Sequence, residues 1–379
     1  MKKKKITNNT TGRIDIALLI SVLLLAAFGT VMVFSAGGAY AYARYKDEYY
    51  FLKRQIIWLL LGLVIIYAAA KIPVVFYKKI TPWLYSVTIV LLILVLIIGF
   101  VGNGAKRWIS IGPITVQPSE IAKIAIIMML SYYFSKNERL ALEEKNKLVI
   151  FKYGTIFPIL IFLVPIILVM LQKHLSCIII LGMIGLSITV AAGVNLKYIA
   201  AFCGMGAGGV TFLALFTDYT KERITVWRNP EAYKLTGGWQ TLQGLMAIGS
   251  GGVFGVGLGK SVMKHCYVSE PANDMIFAIL CEELGLIGAV ITLLLFFFLI
   301  IRGIIISLRS ADIYSRLVAF GISAKMAIQV LLNVAVVTNS IPNTGISLPF
   351  FSYGGSSLLM IFLEMGILLS ISRNAKITK

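Results

Sequence analysis

Apolar runs of membrane-crossing length recur along almost the whole chain, and few sequence features leave a polypeptide less choice of fold. They fall at about 14–35, 55–76, 82–101, 119–134, 155–172, 176–194, 196–216, 274–301, 313–338 and 355–372, each close to the roughly 20 residues that a helix needs to cross hydrocarbon. Backbone polar groups in lipid must be satisfied within the protein, which a helix does inside one segment. The runs therefore predict an all-α polytopic membrane protein with ten transmembrane helices. With 59% hydrophobic and 13% charged residues, the chain lacks the polar surface of a soluble domain. Pro158 and Pro165 predict a kink in the fifth span.

Lys2 to Lys5 precede the first run in the manner of a signal peptide, but that run is long enough to span and shows no small-residue cleavage site. An even number of spans puts both termini on one side. The basic residues choose the side: Lys71, Lys78 and Lys79, Lys136 to Lys152, Arg302 to Arg316, and both tails alternate with loops poorer in charge, so that face is cytoplasmic. The expected organisation is a cytoplasmic tail at 1–13, one membrane domain at 14–372 and a second tail at 373–379. A large extracytoplasmic loop, 217–273, falls between helices 7 and 8. The net charge of +19 is spread over loops and tails, which suits membrane lipids with anionic headgroups and not nucleic acid. The four cysteines and two histidines show no metal-type spacing.

The chemistry-bearing residues collect on the outward side. Asp274 stands where a polar loop enters a long apolar helix. It either complements the helix dipole from the first turn or is a carboxylate held at a membrane mouth, wet enough to act and dry enough to be tuned. In the second outward loop, Lys106 and Arg107 flank Trp108, Ser119 is expected as an N-cap, and Glu120 and Lys123 are spaced to pair on one helix face. A lysine inside a span is a functional candidate by default, with snorkelling to the headgroups as the alternative. The Gly-rich apolar stretch Leu245 to Leu258 predicts a half-buried, interface-hugging or re-entrant segment. The uncharged loop from Asn339 to Ser357, rich in Pro, Gly and Ser, predicts a rigid cavity wall. Lys325 and Glu364 are an intramembrane pair that either ties helices together or takes part in catalysis.

Four stretches together give a resemblance that covers essentially the whole chain: GAKRWISIGPITVQPSEIAK at 104–123, GGWQTLQGLMAIGSGGVFGVGLGKS at 237–261, DMIFAILCEELG at 274–285 and IPNTGISLPFFSYGGSS at 341–357. The chain resembles the SEDS family (shape, elongation, division and sporulation), on the FtsW and SpoVE side of that family and away from RodA. The resemblance implies a peptidoglycan glycosyltransferase of the bacterial cytoplasmic membrane. Such an enzyme polymerises lipid II on the outer face, in cell division or sporulation, beside a class B penicillin-binding protein. The family's essential aspartate maps to Asp274. Its basic and polar cavity residues map to Lys106, Arg107, Glu120, Lys123, Trp239, Gln240, Gln243 and Lys264. The chain departs from the family pattern at Ser269 and Asn273 before the aspartate and at Lys173 and Cys177. In the last loop it departs at Asn339, Asn343 and Ser347.

Transfer from a lipid diphosphate needs a base for the acceptor hydroxyl and positive charge for the leaving group. Asp274 is the expected base in a single inverting displacement. Lys106, Arg107 and Lys123 are the expected diphosphate contacts, aided by Lys264 or by a divalent cation (Mg or Mn). Two other readings share the composition: a lipid II flippase, and a non-catalytic scaffold for the penicillin-binding protein.

Overall fold

The computed structural model describes residues 12–102, 105–111, 114–144, 146–195, 197 and 218–375. Nine of the ten apolar runs lie in that range, and each is helical. The first three are α1 (Ile16–Tyr45), α2 (Tyr50–Lys71) and α3 (Val74–Ile98); α4 (Pro118–Glu138) follows a non-helical insertion. The fifth run is built from α5 (Lys147–Phe151) and α6 (Phe157–Leu171), and α7 is Leu175–Ala191. Beyond the shorter α8 (Asp218–Arg228) and α9 (Trp239–Gly251) come α10 (Ile276–Arg309), α11 (Ile313–Val337) and α12 (Gly355–Ser372). The seventh run, 196–216, lies outside the described residues apart from Lys197. Among the described residues, seven helical units are long and apolar enough to cross a membrane: α1, α2, α3, α5 with α6, α10, α11 and α12. The chain is a multi-pass membrane protein.

In the fifth span, where Pro158 and Pro165 predict a kink, a π-helical turn, Lys152–Ile156, precedes Pro158, and Pro165 lies inside α6; a π turn is a usual way for a helix to absorb an interruption. α4 is polar for a span because it carries Glu120 and Lys123. It is nevertheless the inner helix, with almost every residue from Pro118 to Leu130 buried, so that protein and not lipid surrounds its charges. The expected cap is displaced: Gln117 occupies the N-cap and Pro118 starts the helix, leaving Ser119 inside the first turn with its hydroxyl unpartnered. Proline has the helical φ ready and no N–H to satisfy, which favours it at that first position.

The all-α expectation needs one correction. Phe100–Gly102, Ala105–Ile111 and Ile114–Val116 form β1, β2 and β3 of an antiparallel sheet, with Phe100 opposite Trp108 and Ile109 opposite Val116. Only Ile109, Ser110 and Ile111 alternate, between the turn-type pairs Asn103-Gly104 and Gly112-Pro113, so the hairpin signal in the sequence is short.

The two ends of the described chain meet. The Asp15 N–H donates to the Ser372 hydroxyl at 3.1 Å, and the Asp15 carboxylate also takes the Arg302 guanidinium. Toward the opposite end of α10 lies a second device. α10 breaks at Gly285 (φ +64°), and the chain leaving α9 crosses that break. Val256 and Gly257 N–H donate to the Glu282 and Glu283 carbonyls, while Leu286 and Ile287 N–H donate to the Gly252 and Val253 carbonyls. Each interrupted segment satisfies the other's backbone, which is the condition for irregular structure within a membrane. The Gly-rich stretch is thus a broken, half-buried segment, with Phe254 82% exposed beside it.

Candidate active site

Asp274 precedes α10 by two residues and is half-buried. Its position is fixed from two sides. The Asn333 amide of α11 donates both to the Asp274 carbonyl at 2.9 Å and to the Ile346 carbonyl at 2.7 Å. The Ser352 hydroxyl donates to the Asn273 carbonyl, and the Tyr353 N–H to the Ala272 carbonyl. The last loop is thereby sewn along the segment that carries the carboxylate.

The Asp274 side chain faces a cavity of about 640 Å³ that opens between the sheet, α4, α8, α9 and the last loop. Arg107, Glu120, Lys123, Gln240 and Asp274, five of the residues singled out in the sequence, line this one space. Gln240 directs its amide Nε2 at both Asp274 oxygens, 3.4 Å from each. Arg107 donates to the Lys173 carbonyl at 2.5 Å, a residue held in the left-handed region at φ +53°. Burial, with Glu270 adding repulsion, pushes the Asp274 carboxyl up to about 6, against the smaller opposing pull of its hydrogen bonds. At neutral pH it is ionised yet basic enough to accept a proton.

Glu120 and Lys123 pair at 2.7 Å with both side chains buried, as their spacing predicts. The Ser357 hydroxyl adds a contact to Glu120 at 3.3 Å. Deeper in the bundle, Lys325 and Glu364 pair at 2.7 Å.

Four other candidates lie elsewhere. Lys106 is exposed on β2 and does not line the cavity. Trp239 donates from Nε1 to the Tyr267 carbonyl at 2.9 Å, and Gln243 is buried in α9 one turn beyond Gln240. Lys264 is turned the other way. Its ammonium meets Glu283 at 2.8 Å and the Gly259 carbonyl at 2.7 Å, under a separate cavity of about 550 Å³ beside α1.

The structure also brings in residues that sequence reasoning left aside. Arg223 and Trp227, one turn apart on α8, both line the cavity; Arg223 donates to the Asn343 carbonyl, and Trp227 to the Asn339 carbonyl at 2.9 Å. Their i, i+4 spacing was the available signal. Glu270 and His174 line it as well. Burial first, then Arg107, drives the His174 imidazole down to about 3, so it is neutral at working pH.

A polytopic helical bundle with a charged cavity around one raised carboxyl is the class of protein that the fold and this site define. The particular family follows from comparison: residues 16–377 match the FtsW/RodA/SpoVE model, described as cell cycle protein, and the chain belongs to that family. It is 38% identical over 366 residues to the stage V sporulation protein E of Bacillus subtilis, covering 96% of this chain and 98% of the relative. It is 36% identical over 367 residues to the probable peptidoglycan glycosyltransferase FtsW of Geobacter sulfurreducens, covering 96% of each. Among solved structures it matches the Thermus thermophilus rod shape determining protein RodA with a TM-score of 0.70 and 25% identity, over 96% of this chain and 98% of that one. It also matches, with a TM-score of 0.78 and 25% identity over 96% and 99%, a chain from work described as "Structural coordination of polymerization and crosslinking by a peptidoglycan synthase complex". The leaning toward FtsW and SpoVE agrees with these identities.

Proposed function

We propose that this protein is a peptidoglycan glycosyltransferase that polymerises lipid II on the outer face of the cytoplasmic membrane, in cell division or sporulation. The observation that carries the reading is the placing of Asp274 in one cavity with Arg107 and Lys123. The names of the FtsW relatives and the synthase complex support the same activity.

Asp274 takes the proton of the acceptor hydroxyl, a service worth about 100- to 10,000-fold in rate. Arg107 and Lys123 meet the polyprenyl diphosphate as it leaves, through charge-assisted hydrogen bonds. Attack from the carboxylate side with departure from the cationic side gives a single displacement with inversion. Gln240 steadies the base, and Glu120 keeps Lys123 neutralised until substrate enters. Lys106, exposed above the cavity, makes the first electrostatic contact; Trp239 and Gln243 fix α9, and Lys264 serves as counter-ion to Glu283. A divalent cation enters as counter-ion of the diphosphate, since no three His, Cys, Asp or Glu side chains come together among the described residues.

The topology proposed is ten spans with both termini in the cytoplasm and 217–273 outside. The contact of Asp15, at the start of α1, with Ser372, at the end of α12, supports an even count. The partner is a class B penicillin-binding protein, which supplies crosslinking. The test is polymerisation of lipid II by purified protein, with and without such a partner and a divalent ion. Glycan strands are expected from the parent and at least 100-fold fewer from Asp274→Asn. Equal rates from the two proteins would sink the assignment, and movement of labelled lipid II across vesicles without glycan would replace it with transport.

A further inference from the structure

Asn343 is one of the positions at which the last loop departs from the family pattern, and in the structure it has a definite task. Its Oδ1 accepts the Gly345 N–H at 3.2 Å, and its Nδ2 donates to Gln240 Oε1 at 3.0 Å. Gln240 in turn offers Nε2 to both oxygens of Asp274. A side-chain amide can lie either way round, and its neighbours decide which. Here the decision starts from a group that cannot turn over. The Gly345 backbone N–H is always a donor, so Asn343 must present oxygen to it and nitrogen to Gln240. Gln240 must then present oxygen to Asn343 and nitrogen to the carboxylate. The Arg223 guanidinium, donating to the Asn343 carbonyl, holds the start of this relay from α8.

We propose that Asn343 is a positioning residue of the transfer reaction: it fixes the polarity of the Gln240 amide so that a donor, and not a carbonyl oxygen, faces the base. The inference rests on the reading of Asp274 as that base. With the relay intact the ionised carboxylate is stabilised; with it reversed, two oxygens oppose each other and protonation is favoured. The other charged and titratable groups bordering this space are Glu270 from the adjoining loop, Arg107 from β2, Glu120 and Lys123 from α4, His174 from the turn before α7, Cys177 from α7, Arg223 from α8 and Tyr353 from the last loop.

The experiment follows the Asp274 carboxyl by infrared titration of the full-length protein, its band assigned by loss in Asp274→Asn, beside the pH profile of kcat. Asn343→Ala and the near-isosteric Asn343→Asp are compared. Both are expected to raise the apparent pKa, by about half a unit to one unit, and Asn343→Asp by the larger amount. A merely structural role predicts the opposite order, because Asn343→Asp preserves shape. Asn343→Asp also adds charge, so both changes are repeated in Gln240→Met, which has no amide to turn. There the Asn343→Ala shift should vanish and the Asn343→Asp shift should shrink to its through-space part. An unmoved titration in the Gln240 parent, or equal shifts in both backgrounds, overturns the relay. A moved titration without a matching move of the kcat profile keeps the relay and instead refutes Asp274 as the base.

Discussion

The Lys123 ammonium lies 2.7 Å from the Glu120 carboxylate, one turn inside α4, and both side chains line the cavity that Asp274 overlooks. The Lys123 charge is therefore neutralised within the protein. On the proposed function the diphosphate exchanges places with Glu120, which also accepts from the Ser357 hydroxyl at 3.3 Å. Removing one member of a buried pair strands the other, at about 3–5 kcal/mol. Lys123→Met and Glu120→Gln should each lower thermal stability in detergent by an amount of that order. The double variant should recover most of the stability and none of the polymerisation. Recovery of activity together with stability would show that the pair serves only the fold.

With Asp274 as the proposed base, the acid limb of the rate profile should follow its ionisation. A general base works when ionised, and burial has raised this carboxyl from its ordinary range to about 6. Activity should be at its plateau above that pH and fall about tenfold for each unit below it. An acid limb near the ordinary aspartate range, measured as kcat at saturating lipid II, would place the base elsewhere.

Gly345 sits at φ +69°, and an added Cβ would stand 3.4 Å from Asp274 Oδ2. Gly345→Ala should lower stability by about 1–2 kcal/mol, the usual penalty of a left-handed alanine. It should also reduce kcat at least tenfold by placing a methyl group against the base. Equal kcat with lowered stability would mean that substrate approaches Asp274 from another side.

Lys264 tests the separation of the two cavities. Because its ammonium compensates buried Glu283, Lys264→Met should destabilise the protein by about 3 kcal/mol or more. The protein that remains folded should have an unchanged KM for lipid II. A raised KM with normal stability would return Lys264 to the substrate site.

Much of this was legible in the sequence because a bilayer leaves little freedom: the helical spans, the Glu120–Lys123 pair and the place of Asp274 just before a long apolar helix follow from length, hydropathy and helical period. The misses have equally physical origins. The sheet at 100–116 was hidden because its strands are short and its turn residues resemble those of a plain loop. Ser119 was read as a cap because the helical φ of Pro118 was not weighed against it. Lys264 is near Asp274 in sequence, but its side chain turns toward the α10 break, a direction that sequence proximity does not encode. Asn343 looked like a departure in a loop; its meaning appears once α9 brings Gln240 beside it.

The interruption at Gly285 has a consequence for biogenesis. The residues on either side of it borrow their hydrogen-bonding partners from 252–257, so neither segment can be dehydrated by itself without stranded amides. Translocation machinery cannot release α10 into lipid as a finished rod and add the preceding Gly-rich segment afterwards. The two have to zip together while still sheltered, which makes the arrival of Asp274 at its post a late event in the maturation of the polypeptide.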